Sequence, residues 1–435
     1  MISRWSYLLL LGGIVVGQLV RLPFSSGAGI GLRLADLIVG LLTLLWLIQA
    51  FRHWLRAPRS PLPSLTTTDR WLLAFQVILA LAFLLNLGRF ASAELIVGGA
   101  YLIRLEAYLT LYWVARSWTT ALPEAIVSRY WIWATVAVAV LGFIQLFTFP
   151  DLQFLLEFGW DPHVGRLVST FFDPNFVAIF LGIGLIMALA EILFGNKENR
   201  RWYLVIALIL LAALYFTYSR SGILSTAVAA TLIGLRQSWR AGLVVAVVFG
   251  LIIMSPGRLG GRFGNAFEGT SFSSLDEQGN KVTGIFSTDD TGNQRILSWQ
   301  RAWAVIKSSP VYGVGYNNFA AATGQVGVLR QEKDLGASSA QSSDSSLLSV
   351  WATTGVVGLI ALLGLGLSLL RRSFLISRQA LSEPSNAWLF GYGGGLVALF
   401  LDSFLINSLL YPQLLIYWLV LGGYIVSVRL KNEPI

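Results

Sequence analysis

An all-α membrane protein is the fold class that this sequence predicts, with about twelve transmembrane helices and one long extracytoplasmic loop carrying short helices. Three observations carry that prediction. Hydrophobic residues make up 55% of the 435-residue chain and charged residues only 12%, about half the roughly 25% found in soluble domains. The apolar residues gather in runs approaching the roughly 20 residues that a spanning helix needs. The sixteen Trp and fourteen Tyr suit a chain with two membrane interfaces, where amphipathic rings collect.

The runs place spans at about 5–22, 33–51, 70–88, 94–117, 127–148, 169–194, 202–218, 221–236, 240–254, 344–370, 386–408 and 411–430. The first lacks a clear small-residue cleavage site and reads as a retained helix, not a signal peptide. Loop cations then fix the orientation, because cytoplasmic loops are enriched in Lys and Arg. With the N-terminus inside, seventeen Lys and Arg fall in inside segments, Arg52, Arg56, Lys197, Arg371 and Arg372 among them. The short outside loops hold five, Arg21, Arg33, Arg89, Arg166 and Arg220. The chain thus divides into an N-terminal bundle over 1–254, an extracytoplasmic loop over 255–343 and C-terminal helices over 344–435, with both termini cytoplasmic. No internal repeat points to an inverted-repeat transporter.

The net charge of +9 reflects this loop placement and does not indicate nucleic-acid binding. With no cysteine there are neither disulfides nor thiolate metal sites. His53 and His163 are too far apart in sequence for an H-x-x-x-H metal site. No metal and no cofactor are expected.

The long loop is polar and rich in Gly and Ser, but Ile296–Ile306 is amphipathic, with Trp299 and Trp303 on one face. A helix lying over the bundle mouth would read this way, and the two Trp read as core packing before they read as a substrate platform. Asp289 and Asp290 look a little like a calcium loop. The EF-hand spacing is missing, so they read as turn residues. Gly313-Val-Gly315 lacks the further Gly of a nucleotide motif.

Charges near a membrane core are expensive, so they default to functional hypotheses. On this topology Arg166, Asp173, Arg220, Asp344 and Asp402 fall at the outer edge of the bundle, with Arg295 and Arg301 in the loop. Plainer readings stand beside the functional one. Arg220 could anchor a helix at the interface, Asp344 could cap one, and Arg301 could be a solvated loop charge. Arg104 and Glu106, two apart in the fourth span, face different sides of a helix and are assigned no chemistry.

Four segments taken in order resemble the O-antigen ligase/O-antigen polymerase superfamily of bacterial membrane glycosyltransferases. They are RLVSTFFDPNFVAIFL (Arg166–Leu181), YSRSGIL (Tyr218–Leu224), RILSWQRAW with PVYGVGYNNF (Arg295–Phe319), and DSSLLSVWATTGVVG (Asp344–Gly358). The resemblance covers essentially the whole chain, including the single long loop late in the sequence. Two positions depart from the family pattern. Ligases of the family typically place His where Asp344 stands, and the family's acidic residue two before the first Gly is Thr353.

The resemblance implies an enzyme of the inner membrane that moves a glycan from an undecaprenyl-diphosphate-linked donor to a sugar-hydroxyl acceptor on the extracytoplasmic face. It implies Asp344, Arg220 and Arg295 as catalytic residues, and Arg166, Asn175, Arg301 and Asn318 as substrate-binding ones. Asp in place of His favours a polymerase of surface-polysaccharide or O-antigen repeat units. A ligase transferring glycan to lipid A core or protein is the alternative, and an anion or solute transporter is a second. The bilayer is a partner, polysaccharide chain-length or export proteins are further candidates, and no nucleic acid is expected.

Overall fold

Polar residues set where the helices begin. Asp173 caps one, its Oδ1 accepting the N–H groups of Asn175 (2.6 Å) and Phe176 (3.2 Å), with Pro174 in the first helical position, where its missing N–H costs nothing. Ser219 and Ser238 cap the starts of two more. Thr66 and Asp69 form a reciprocal capping box, Asp69 N–H on Thr66 Oγ1 at 3.2 Å and Thr66 N–H on Asp69 Oδ2 at 2.8 Å.

A computed structural model describes residues 2–23, 31–56, 64–119, 121–158, 160–161, 163–255, 269–275, 281–287, 290–327, 342–380 and 386–427. Among these lie fourteen α-helices. They are α1 Ile2–Val16, α2 Leu34–Arg56, α3 Thr67–Leu85, α4 Ser92–Trp118, α5 Glu124–Thr148, α6 Pro174–Phe194 and α7 Arg200–Phe216. They continue with α8 Arg220–Gln237, α9 Trp239–Ile253, α10 Asp290–Ser308, α11 Phe319–Gln325, α12 Ser346–Ala380, α13 Ala387–Ser403 and α14 Pro412–Ser427. A short hairpin, β1 Arg21–Pro23 with β2 Gly31–Arg33, pairs Arg21 with Arg33. A second, β3 Gly269–Leu275 with β4 Lys281–Ser287, precedes α10. Asp289 lies outside the described residues.

The chain is a multi-pass all-α membrane protein. Seven segments, lying in α2 to α7 and α12, are long and apolar enough to cross a membrane. The other five expected spans occur as helices at their expected places. Four of them, α1, α9, α13 and α14, are apolar but have 15, 15, 17 and 16 residues. The fifth, α8, has 18 residues and a weakly apolar sequence. The count of twelve is therefore carried by length and apolar character for seven.

Each helix's place in the bundle follows from its composition. α6 is apolar on every side, and Val177 to Ala188 are all buried, as a central helix requires; it packs on α7, α8 and α13. α2 presents Leu37, Leu41, Leu44 and Ile48 outward, a face suited to lipid. α8 is rich in small residues, and small residues let helices approach without a water-driven force between them. A Cβ on Gly222 would lie 2.6 Å from Ala178 Cβ, and one on Gly182 2.0 Å from Thr226 Oγ1.

Two ion pairs tie separate helices. Asp36 of α2 pairs with Arg104 of α4 at 2.9 Å, and Asp69 of α3 pairs with Arg116 of α4. Glu106 accepts from Gln76 Nε2 of α3 at 3.0 Å, so Arg104 and Glu106 serve different helices, as their spacing demands. Asp69 is fully buried and also accepts the Tyr112 hydroxyl at 2.7 Å. Asp69→Ala would strip a cap, an ion pair and a hydrogen bond together. A loss of about 3 kcal/mol is expected, read as a lowered midpoint of thermal unfolding in detergent.

α12 is broken where the sequence suggests one uninterrupted span. Gly355 (φ 70°, ψ −178°) interrupts it, and the loop segment Pro310–Gly315 fills the break with its own main chain. Val314 N–H donates to the Ala352 carbonyl at 3.0 Å, Gly315 N–H to Thr353 at 2.9 Å, and Val356 N–H back to Pro310 at 2.9 Å. The Gly-x-Gly of this segment thus serves close backbone packing. A Cβ on Gly313, itself at φ 70°, would meet the Thr353 carbonyl carbon at 2.3 Å.

Candidate active site

The motif segments converge through their backbones first. Leu167 N–H donates to the Phe216 carbonyl at 2.9 Å, and Arg166 Nε to the Thr217 carbonyl at 2.8 Å. Ser219 Oγ donates to Asn175 Oδ1 at 3.0 Å. Two segments distant in sequence, Arg166–Asn175 and the turn Thr217–Arg220, are thereby locked together, and Arg220 opens α8 directly after the capping Ser219. Among the described residues, four non-glycine residues have left-handed backbone, Ser169, Phe172, Tyr218 and Asn317. All four lie in these motif segments, and such strained conformations concentrate at functional sites.

The loop helix α10 supplies the other side. Arg295, Ser298 and Arg301 recur at three-residue spacing along one face. Ser298 Oγ accepts the Asp344 N–H at 2.9 Å, which holds α10 to the start of α12. Asp344 lies within electrostatic range of Arg295, Arg301, Asp173 and Asp161. Ser345 Oγ, at 3.4 Å from Leu348 N, takes the capping role at the start of α12, so the Asp344 carboxylate is not spent as a helix cap. Burial pushes the Asp344 carboxyl above its ordinary range, Asp173 and Asp161 add to the rise, and Arg295 and Arg301 oppose it. Asp173 is raised by burial too, against the Asn175 and Phe176 N–H groups, Arg166 and Arg295.

Arg301 is not a solvated charge. It is only 7% exposed, and its Nη1 is buried without a hydrogen-bond partner among the described residues. Burial lowers its proton affinity, which Asp344 partly restores. Ala302, Val305 and Ile306 of α10 form a small core with Val314, Phe319 and Ala352. Trp303 packs edge-to-face on Trp351, ring centres 5.7 Å apart, and Trp299 is partly buried. Asp402 is fully buried within range of Arg295 and Asp173. Its carboxylate faces the Ser221 and Ser408 hydroxyls without reaching good hydrogen-bond geometry.

Beside this cluster lies a cavity of about 300 Å³. Phe176 and Ser342, close in sequence to Asp173 and Asp344, form part of its wall, as do Arg33, Arg104, Tyr316 and Asn317. Asn407 Nδ2 donates to Ser342 Oγ at 3.0 Å. Asn318 is turned inward: it is 1% exposed, its Nδ2 donates to the Val314 carbonyl at 3.1 Å, and it packs against Gly98. Asn317 reaches the cavity instead. Arg33 and Arg104 are cavity residues that the sequence reading left without chemistry. The signal for them was the charge of Asp36 and Arg104 inside two apolar runs.

Residues 205–363 match the O-antigen ligase family. That stretch runs from α7 through the YSRSG turn, the long loop and the break in α12, and holds Arg220, Arg295, Arg301, Asn318 and Asp344. The matched stretch contains three of the four segments whose sequence resembles the O-antigen ligase/polymerase superfamily. The O-antigen ligase match begins after Arg166 and Asn175, which join it through the hydrogen bonds to Thr217 and Ser219. The comparison with curated proteins gave no match.

Proposed function

We propose that the protein polymerises repeat units of a bacterial surface polysaccharide on the extracytoplasmic face of the inner membrane. In this reading a sugar hydroxyl of the acceptor attacks the anomeric carbon of an undecaprenyl-diphosphate-linked donor. The new glycosidic C–O bond forms as the C–O bond to the diphosphate breaks. The hydroxyl proton passes to Asp344, and the diphosphate leaves with the bonding electron pair. Guanidinium groups fixed before the reaction stabilise the charge that develops on the leaving group, and their planar fork suits phosphate better than an ammonium does. Arg295 and Arg220 take that role. Arg166, its Nε on the Thr217 carbonyl, positions the turn carrying Arg220, and Asn175 and Arg301 hold saccharide.

The observation carrying the reading is the half-buried Asp344, within electrostatic range of Arg295 and Arg301 and not spent on helix capping. A raised proton affinity suits a general base, whose efficiency is greatest with a pKa near the working pH. The match to the O-antigen ligase family supports the reaction class, and Asp in place of His supports polymerase over ligase. Deletion of the gene with plasmid complementation tests this, reading lipid-linked and surface glycans on gels. Single repeat units that wild type extends into polymer, and Asp344→Ala does not, are the expected result. Long lipid-linked chains accumulating in the deletion would make it a ligase. An unchanged glycan profile would remove the transferase reading and favour transport.

The pH dependence has a definite sign. Asp344 acts only when deprotonated, so transfer should fall as pH drops through its raised pKa. Asp173 raises that pKa and Arg301 lowers it. Asp173→Asn should therefore shift the acid limb of the rate profile to lower pH, and Arg301→Gln should shift it to higher pH. Limbs that stay put in both variants would remove Asp344 as the titrating base.

A further inference from the structure

The cavity beside the cluster has a composition of its own. Its walls combine Tyr101, Tyr108, Tyr316, Tyr411 and Phe176 with Arg33 and Arg104. Phe176 and Tyr411 stack with ring centres 4.0 Å apart, which gives one wall a flat, rigid surface. Flat aromatic walls with a few placed polar groups are the usual make-up of small-ligand pockets, and the C–H face of a pyranose lies well against such a ring.

The two arginines are held in place with capacity unused. Arg104 Nε donates to Asp36 Oδ1 at 2.9 Å, and the Tyr108 hydroxyl donates to the same oxygen at 2.7 Å. Arg33 N–H occupies Asp36 Oδ2 at 2.8 Å, so that carboxylate is engaged on both oxygens. The Arg33 guanidinium lies over the Tyr411 ring at 5.6 Å and the Arg104 guanidinium over the Tyr101 ring at 5.8 Å. Yet Arg33 Nη1 and Arg104 Nη2 are both buried with no hydrogen-bond partner among the described residues. Asn407 Oδ1, on another wall, is in the same state. Buried donors on charged groups are costly to leave unmade, so these two nitrogens are placed to bind an acceptor that enters the cavity.

Charge narrows what that acceptor is. Arg33 and Arg104 against Asp36 leave one net positive charge at this end of the cavity. That balances a single carboxylate, whereas a diphosphate carries more charge than the pair can neutralise. The volume, at the small end of the roughly 300–1,000 Å³ range of ligand pockets, suits a short saccharide end and not a polyprenyl chain. We propose that this cavity is the acceptor subsite and that it recognises a sugar bearing a carboxylate, a uronic-acid type of residue, in the glycan being extended. Arg33 and Arg104 bind the carboxylate, the aromatic wall carries the ring, and Asn407 accepts from a ring hydroxyl. The naming of the ligand as acceptor rests on the transferase reading above, while the carboxylate preference is a binding property that stands by itself.

Binding of methyl glucuronide and methyl glucoside to the full-length protein in lipid nanodiscs, followed by saturation-transfer NMR, tests it. Wild type should bind the glucuronide about tenfold more tightly than the glucoside, the scale of one charge-assisted hydrogen bond. Arg33→Gln should abolish that preference, and Arg220→Ala should keep it. The paired variant Arg104→Gln with Asp36→Asn removes both charges together, so no buried carboxylate is stranded, and it too should lose the preference. Equal binding of the two glycosides by wild type, or an undiminished preference in Arg33→Gln, would overturn the proposal. Inorganic pyrophosphate binding lost in Arg33→Gln but kept in Arg220→Ala would overturn it as well, by giving the pocket to the donor diphosphate. Loss of preference in Arg33→Gln beside an unchanged glycan profile in the deletion strain would uphold the subsite and sink the transferase reading.

Discussion

Arg295→Ala should reduce glycan transfer by about 100- to 1,000-fold, the scale of removing one preorganised donor from a transition state. Arg295 is the guanidinium that Asp173, Asp344 and Asp402 all sense. It stands on α10, fastened to the start of α12 through the Ser298–Asp344 hydrogen bond, so its loss acts twice. The leaving diphosphate loses a fixed positive partner, and the carboxylates lose a compensating charge that holds down the proton affinity of Asp344. The rate should fall at every pH, and its acid limb should move upward. Arg295→Lys keeps a positive charge without the planar fork and should recover only part of the rate. Initial rates with purified lipid-linked repeat units measure both effects, with the amount of protein in the membrane as control. A rate within a few-fold of wild type in Arg295→Ala would remove the diphosphate clamp from the mechanism.

Gly355→Ala should be among the most destabilising single changes in the chain, at about 3 kcal/mol or more. Its backbone, at φ 70° and ψ −178°, occupies a region that essentially only glycine enters. An added Cβ would also sit 1.8 Å from the Val311 carbonyl oxygen, which is main chain and has nowhere to turn. Gly40→Ala is the matched control. It lies within α2 with nothing within 4 Å of an added Cβ, and alanine there should be neutral or slightly stabilising. Unfolding midpoints of both variants in the same detergent decide the matter. Equal midpoints would mean that the break in α12 is not a rigid seat.

The apolar runs and the order of the polar motifs made much of the fold legible in the sequence, because spanning helices announce themselves by composition. The break at Gly355 was hidden. Its residues read as an unbroken apolar run, and only the pairing with Pro310–Gly315, some 40 residues earlier, shows why a glycine is required there. The candidate site's convergence was legible where short motifs carried it. Arg166, Asn175 and Ser219 beside Arg220 come together through the RLVSTFFDPN and YSRSG segments, and Arg295 and Arg301 stand on one helix. What escaped was whatever depended on contacts between helices. Arg301 is buried because α10 packs down on α12, which its polar surroundings in sequence do not reveal. Asn317 and Asn318 are adjacent and chemically identical, and only the left-handed backbone of Asn317 decides which one meets the cavity. Arg33 and Arg104 are joined through Asp36 across two helices, a pairing that no periodicity encodes.

A join made largely of main chain is indifferent to the side chains that take no part in it. The seat between Pro310–Gly315 and the broken helix is formed mainly by N–H and carbonyl groups, with Trp351 Nε1 adding a bond to the Pro310 carbonyl at 3.1 Å, while the Val311 and Tyr312 side chains, 43% and 61% exposed, point away from the core. Those two positions are thus open to exchange without disturbing the anchorage, and Tyr316 and Asn317 follow immediately on the cavity wall. Framework and selectivity are written in separate alphabets here, the first in glycines and peptide groups and the second in the side chains they carry. Substitutions along this strip could change what the cavity holds while the fastening beneath it stays the same.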